Sequence, residues 1–432
     1  MDAVLQKCRY YRFLLNPSDI NKNKNRAFEY NNPLNTSTKG LINSLFRPYK
    51  IDSSYLANIM TPFKPGFAHN GNNFYAELRQ EIDQYFSKNR ISKTGNGKLY
   101  RKTAFALITV PALLAFSYST AYWENTPLWI NYFVFGLIGV MHAFTGFNVM
   151  HDACHGSFSE KPWVNNIFQH SIGLLGSHAP IWKFKHNVLH HTWTNVDGVD
   201  DDIAKSPMLR HCPTQTFKPA HKYQHIYMFG LYAISTIWWL FGNDSIKYAK
   251  GKVNHQSMPK MKATDHLTFW GFKLLYVGIY ILAPIYYFGA FHGTMMFLTL
   301  HVVLGILLSV VFQLAHAVEG IHFEDSLEYS ETDDKIANEW AVHQVLTTNN
   351  FATKSIIATW FMGGLNFQVE HHLFPKISHV HYPNINPILK RTCEKYGVKY
   401  SEMPTFWSAI GSHLRWMRLM GSQKEISNLV TA

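Results

Sequence analysis

The sequence predicts an all-α integral membrane protein with four spanning helices arranged as two hairpins. Three observations carry that reading. Only 16% of the 432 residues are charged, while 47% are hydrophobic and 15% aromatic. An average soluble chain carries about 25% charged residues, so long solvated surfaces are scarce here. Uninterrupted apolar runs fall at about 103–122, 127–149, 267–288 and 293–315, each close to the roughly 20 residues a bilayer core requires. Finally, many of the 24 histidines gather in short boxes beside those runs.

Residues 1–70 are rich in Asn, Lys and Ser and too polar to close a core, so a disordered extension without an assigned function is expected. The start lacks the basic, apolar and small-residue order of a cleavable signal peptide. Over 71–102, Phe74, Leu78, Ile82, Tyr85 and Phe86 recur at helical spacing, an amphipathic helix suited to a membrane surface or a core. Residues 103–415 then form one membrane domain and 416–432 a tail. The turns 123–127 (WENTP) and 289–292 (GAFH) hold no Lys or Arg, whereas the amino-terminal stretch and 151–266 hold many. By the positive-inside rule the basic parts and both termini face the cytoplasm, and a bacterial cytoplasmic membrane is expected rather than the endoplasmic reticulum. A fifth apolar run, 226–242, is at the short limit for a span. If it crossed, the histidines near 371 would lie across the bilayer from those near 151 and 190; a shared site requires it to lie in the interface.

A net charge of +12, with much of the excess before residue 103, reads as a cationic membrane-facing surface. No nucleic-acid motif accompanies it, so no nucleic-acid partner is expected. Cys8, Cys154, Cys212 and Cys393 include no close pair, which excludes a small disulfide-stapled fold and a C-x-x-C metal or redox motif.

The chemistry is in the histidines. HDACH places His151 and His155 four residues apart, on one helical face where the second run ends. HNVLHH gives His186, His190 and His191, and QVEHH gives Gln368, His371 and His372 at i, i+3 and i+4. His316 ends the fourth run at the level of His151. Together these are too many donors for one transition metal, which takes four to six. Two adjacent metals are expected, the alternative being one metal with idle histidines. His142 and His301 sit roughly 13 Å and 22 Å below those levels, and packing or a span-to-span hydrogen bond is expected of each. His221 and His225 are expected at a surface or interface. Asp152, Glu370 and the run Asp200, Asp201, Asp202 neighbour the boxes and could hold the far ring nitrogens. Cys154 is expected to be a small buried filler.

HDACH, HNVLHH and QVEHH, in this order between two apolar hairpins, resemble the membrane fatty acid desaturase family over roughly residues 70–400. GGLNFQVEHHLFP resembles its front-end branch and the bacterial acyl-CoA (linoleoyl-CoA-type) desaturases. The resemblance implies a mushroom-shaped helical protein whose cytosolic cap holds a di-iron site. The implied iron ligands are His151, His155, His186, His190, His191, Gln368, His371 and His372, with His316 resembling the family's extra histidine. It also implies an O2-dependent enzyme that introduces a cis double bond into a lipid- or CoA-linked acyl chain. Many front-end members carry a fused cytochrome b5 domain with a His-Pro-Gly-Gly motif; that string is missing here. A separate ferredoxin or cytochrome b5-type donor, with its reductase, is therefore expected. Residues 1–70 have no recognised counterpart.

Removing hydrogens that have no acidic pKa is beyond side-chain acid–base chemistry, so a metal-bound oxidant is expected, with an apolar tunnel positioning the chain. Trp182, Trp193, Trp360 and Phe361 could line that tunnel, and Lys183 and Lys185 could meet substrate phosphates. Gly363 and Gly364 could allow a close helix approach or a plain loop. The alternatives are a hydroxylase, ketolase or acetylenase on the same scaffold, a histidine-lined metal transporter, and a metal-holding sensor. Transporter sites lie near the membrane midplane on broken spans, unlike these boxes at span ends.

Overall fold

The computed structural model describes residues 64–69, 71, 73–203, 207–326, 328–329 and 335–422. Residues 1–63 of the expected extension, Cys8 among them, and the tail beyond 422 lie outside these. In chain order the helices are α1 (Phe74–Asn89), α2 (Gly97–Ser119), α3 (Leu128–Thr145), α4 (His151–His155), α5 (Pro162–Phe168), α6 (Ala179–Lys183), α7 (Gln224–Trp238) and α8 (Asp244–Lys250). After them come α9 (Ala263–Val277), α10 (Ala283–Phe288), α11 (Ala290–His316), α12 (Trp340–Leu346), α13 (Ile356–Phe361), α14 (Gln368–Leu373), α15 (Tyr382–Lys395) and α16 (Phe406–Met420).

The amphipathic stripe before the membrane runs is helix α1, and it covers protein. Phe74, Leu78, Ile82 and Phe86 are buried with Ile385 and Leu389 of α15 and with Val345 of α12, each large side chain contributing about 1.5–3 kcal/mol. Glu77 with Lys395, and Glu81 with Arg391, close the rim of that contact at 2.5 Å.

Among the described residues, four helical stretches are long and apolar enough to cross a membrane: Gly97–Tyr122, Leu128–His155, Ala263–Phe288 and Ala290–His316. At 1.5 Å per residue each reaches about 40 Å. The Asn96 side chain accepts the Lys98 N–H at 2.9 Å and caps the first; the second starts behind Pro127. Histidines inside the spans pair with tyrosines of a neighbouring span, as an apolar solvent favours. His142 Nε2 is 2.9 Å from the Tyr280 hydroxyl and His301 Nε2 is 3.0 Å from that of Tyr276. Both are bonds from one span to another.

Helix α11 is the post around which the rest is arranged. It packs against α3, α7 and α10, and its last turn carries His316 into the protein interior. The fifth apolar run forms α7 and continues through a π-turn, Trp239–Asn243, into α8. Its Gln224, Met228, Tyr232, Thr236 and Leu240 are buried at four-residue spacing. Ser235 and Ser309 meet at 3.0 Å, and Thr236 meets His301 Nδ1 at 2.9 Å. Two-residue parallel pairings tie distant segments together: Val196–Asp197 with Glu324–Asp325, and Asn350–Phe351 with Glu402–Met403. His221, expected at a surface or interface, is buried, with Nε2 3.1 Å from the Pro207 carbonyl.

Candidate metal centre

The first box stands at the end of a helix that changes pitch. Helix α3 passes into a π-turn, Gly146–Met150, before α4 presents His151 and His155, whose rings are 4.7 Å apart. Gly156, at φ 76°, stops the helix there.

The second box departs from the α-helical spacing expected of it. Residues Phe184–His190 form a π-turn, and the His191 N–H donates to the His186 carbonyl at 3.0 Å, five residues back. The partner of His186 along the axis is therefore His191: their Nε2 atoms face each other at 3.3 Å. His190 turns toward His316 and His372, with ring centroids at 4.7 and 4.9 Å. π-turns of this kind recur at functional sites.

The third box reaches the first through Gly363 and Gly364, at φ 57° and 66°. A Cβ on Gly363 would run into the Phe147 carbonyl of the π-turn before His151. Only a residue without one permits that approach. Helix α14 then divides its pair: His371 lies 4.4 Å from His151, and His372 lies 4.9 Å from His316, centroid to centroid.

The imidazoles thus form two adjoining groups. Ring nitrogens of His151, His155, His186 and His371 come within 4.8 Å of one another, and so do those of His190, His316 and His372. His191 stands between, close to both His371 and His372, and His186 of the first group also meets His190 of the second beside Asp202. All are buried. Burial holds His186, His191, His371 and His372 well below the ordinary imidazole range, so they are neutral near pH 7 and keep a lone pair.

What the nitrogens bond to tells which lone pairs are free. His190 Nδ1 donates to Asp200 at 2.9 Å and His372 Nδ1 to the Gln344 side-chain oxygen at 2.9 Å. His371 Nδ1 faces the Tyr382 hydroxyl at 3.2 Å; His186 Nδ1 is 3.4 Å from Asp202 and His316 Nδ1 3.4 Å from the Thr347 carbonyl. The Nε2 atoms of His155, His190, His316, His371 and His372 are buried with no hydrogen-bond partner. An orphaned buried polar atom costs about 1–3 kcal/mol. Several converging in one space fit a site for electron-pair acceptors, and neutral imidazoles suit a transition-metal cation.

The neighbouring acids divide. Asp200 and Asp202 reach imidazoles; Asp201 pairs with Lys247. Asp152 accepts from Ser378 at 2.6 Å and meets His379 at 3.0 Å. Glu370, its carboxyl pushed up by burial, accepts from Asn350 and Asn386 at 2.7 and 2.6 Å. These two bond to side chains of other segments and to none of the clustered imidazoles. Cys154 packs its sulfur on that of Met150 at 3.7 Å.

A cavity of about 480 Å³ opens onto the first group. His151, His186, His371 and Gln368 stand at it, and its walls come from Phe147, Met150, Trp182, Leu209, residues of α7 and Leu308, Val311 and Phe312 of α11. Trp182 lies on the His186 ring, centroids 4.3 Å apart. Gln368 gives its amide to the Leu365 carbonyl at 2.9 Å. Lys185 reaches the cavity, but its ammonium is buried against Asp202 at 2.7 Å rather than open to a phosphate. Lys183 bonds Gln169 at 3.2 Å. Trp193, Trp360 and Phe361 stand elsewhere: Trp193 donates to the Pro65 carbonyl at 2.9 Å, Trp360 packs on Phe144 at 4.8 Å, and Phe361 on Phe147. Sequence reasoning missed Gln344 and Tyr382, which aim His372 and His371, and Asn195, whose amide donates to the His316 carbonyl at 3.0 Å. They come from distant segments, and no spacing signals them.

Residues 127–404 match the family model described as fatty acid desaturase. The chain is 32% identical over 353 residues to a protein named sn-1 linoleoyl-lipid 6-desaturase from Arthrospira platensis, covering 82% of this chain and 94% of that one. A protein of the same name from Synechocystis sp. is 32% identical over 351 residues, covering 81% and 95%. An acyl-lipid (8-3)-desaturase from Physcomitrium patens is 33% identical over 354 residues, covering 81% and 72%. With the histidine clusters and the four apolar helices, these matches place the chain in the fatty acid desaturase family, as a membrane oxidoreductase acting on lipid.

Proposed function

We propose that the protein is an O2-dependent di-iron desaturase that introduces a cis double bond into an acyl chain lying in the cavity beside His151, His186 and His371. The observation that carries this reading is the set of unpartnered Nε2 atoms on His155, His190, His316, His371 and His372, in two adjoining groups, with the Nδ1 atoms of the last four facing protein partners. The residues that would hold two iron ions are His151, His155, His186, His190, His191, His316, His371 and His372, with Gln368 at the cavity edge. Bound iron supplies the oxidant that a methylene pair without acidic protons requires.

The chain's own groups supply position and dryness. Asp200, Gln344, Tyr382 and the Thr347 carbonyl fix the orientation of four imidazoles. Trp182 and the apolar walls keep water from the reacting carbons and hold an acyl chain near the clusters. Overall, two hydrogens leave adjacent carbons and one O2 is reduced to two waters. Two electrons and two protons are then required from outside the substrate; the protons come from water, and the electrons we assign to a ferredoxin or cytochrome b5-type donor with its reductase. The basic flanks of the spans support a site on the cytoplasmic side, with α7 in the interface.

Expression in a host supplied with such a reductase, followed by mass spectrometry of the fatty acids and elemental analysis of the purified protein, tests the reading. A new double bond and two iron equivalents per chain are expected, with the double bond lost in His371→Ala. A hydroxylated product with no alkene, or fewer than two equivalents in fully loaded protein, overturns it.

A further inference from the structure

Helix α7 presents two faces of opposite use. Its buried residues pack on α11, while Ile226, Ile234, Trp238 and the following Phe241 are at least half exposed, and all are apolar. Two of them, Ile234 and Trp238, also line the cavity, as does Met208, which is 54% exposed. The lining residues that are exposed, Pro207, Met208, Ile234 and Trp238, thus mark the side of the cavity away from the histidines. Charge is nearly lacking along it: among the described lining residues Lys185 and Asp202 are the charged ones, and they pair with each other at 2.7 Å. Trp238 is seated against Gly242, where a Cβ would strike its ring. Among the described residues it has neither a hydrogen-bond nor a ring partner.

We infer that the cavity is entered side-on from the bilayer, through a mouth formed by Met208, Ile234 and Trp238, so that its occupant is an acyl chain still attached to a membrane glycerolipid, with the Trp238 indole as the movable part of the entrance. The inference rests on reading the cavity as the acyl-chain site. The mouth is continuous with the apolar stripe of α7, a stripe that water would leave exposed and lipid would cover. A soluble carrier bearing phosphates would meet no free cation among the described lining residues, whereas a glycerolipid keeps its headgroup at the membrane surface and delivers only hydrocarbon.

The test uses the full-length, iron-loaded protein in its membrane. A phosphatidylcholine with a diazirine near the carbonyl end of one acyl chain is photolysed, and labelled peptides are identified by mass spectrometry. Label is expected on the peptides holding Met208, Ile234 and Trp238. Ile234→Glu should lower it roughly tenfold, since a charge at the mouth opposes hydrocarbon, with iron content unchanged. Ile226→Glu, on the same stripe but away from the cavity, should keep label at Met208 within about twofold, which separates loss of the mouth from loss of membrane seating. Label confined to other segments, or given by a diazirine acyl-CoA added from water but not by the phospholipid, overturns the inference. Labelling needs no turnover: label at the mouth without a double-bond product would overturn the desaturase reading and support the entrance, and product without label at the mouth would do the reverse.

Discussion

His190 and Asp200 are both fully buried, and the imidazole Nδ1–H donates to the carboxylate at 2.9 Å. The same carboxylate accepts the Asn195 and Asp202 backbone N–H groups, each at 2.9 Å, so one side chain sets the ring angle and the loop that carries it.

Asp200→Asn keeps the shape and removes the charge that makes the imidazole a better donor of its other lone pair. Loss of such an outer partner lowers metal affinity or activity by about 10–100-fold. Iron per chain and double-bond formation should both fall while the protein stays in the membrane. Full iron and full turnover would count against an orienting role for Asp200.

The π-turn over Phe184–His190 can be removed by one deletion. Without Val188, which is exposed, the segment can close as an ordinary α-helix. Its hydrogen bonds then run four residues back instead of five, and the facing of His186 and His191 is lost. Loss of bound iron with unchanged membrane insertion is expected; an iron-replete deletion variant would show that this facing does not matter.

That turn also marks where the sequence stops being legible. The four apolar helices are written in composition, because lipid demands long unbroken runs. The boxes are written in spacing, because His151 and His155 really do share a helical face. A π-turn leaves no periodic trace, so HNVLHH reads as an α-helix although it is one residue wider per turn. Gln344 and Tyr382 were invisible for another reason: their places beside His372 and His371 are set by tertiary packing of α12 and α15, which one sequence does not display. Asp152 and Glu370 adjoin box histidines in sequence, yet helical geometry turns them away, toward Ser378 and toward Asn350.

Two histidines away from the clusters predict how stability depends on pH. Burial pulls His413 and His343 down to about 4. In the unfolded chain each returns to about 6.5, so below that pH the unfolded state binds protons that the folded state refuses. Stability is therefore complete above about pH 7 and declines as pH falls from about 6.5 toward 4. The thermal midpoint of detergent-solubilised protein should drop over that window. His413→Gln should reduce the drop, at the expense of a lower midpoint at pH 7, since His413 bonds the Ala317 carbonyl at 2.6 Å and the Tyr232 hydroxyl at 2.9 Å. Parallel pH profiles for the two proteins would refute the assignment.

Gly363→Ala tests the approach of the third box to the first. The new methyl meets the Phe147 carbonyl, and the backbone is held at a φ that non-glycine residues resist at about 1–3 kcal/mol. His371 should then be displaced from His151, with iron content falling and limited proteolysis near residue 363 quickening. Unchanged iron would mean that the contact is dispensable.

The division of the imidazoles into two groups can be tested one group at a time. Gln344 accepts from His372 Nδ1 and also from the Thr194 hydroxyl at 2.8 Å, so Gln344→Leu frees His372 to turn and weakens the group of His190, His316 and His372. Tyr382→Phe removes the hydroxyl at His371 Nδ1 and weakens the group of His151, His155, His186 and His371. If each group holds its own ion, either variant should retain about one iron under limiting metal where the wild type retains two, and the double variant should retain less than either, since losses at separate sites add. Because His191 touches both groups, some coupling between the losses is expected. Were both single variants to lose all iron together at the same metal concentration, the groups would be acting as one site, and a single ion shared among the imidazoles would account for the geometry better than two.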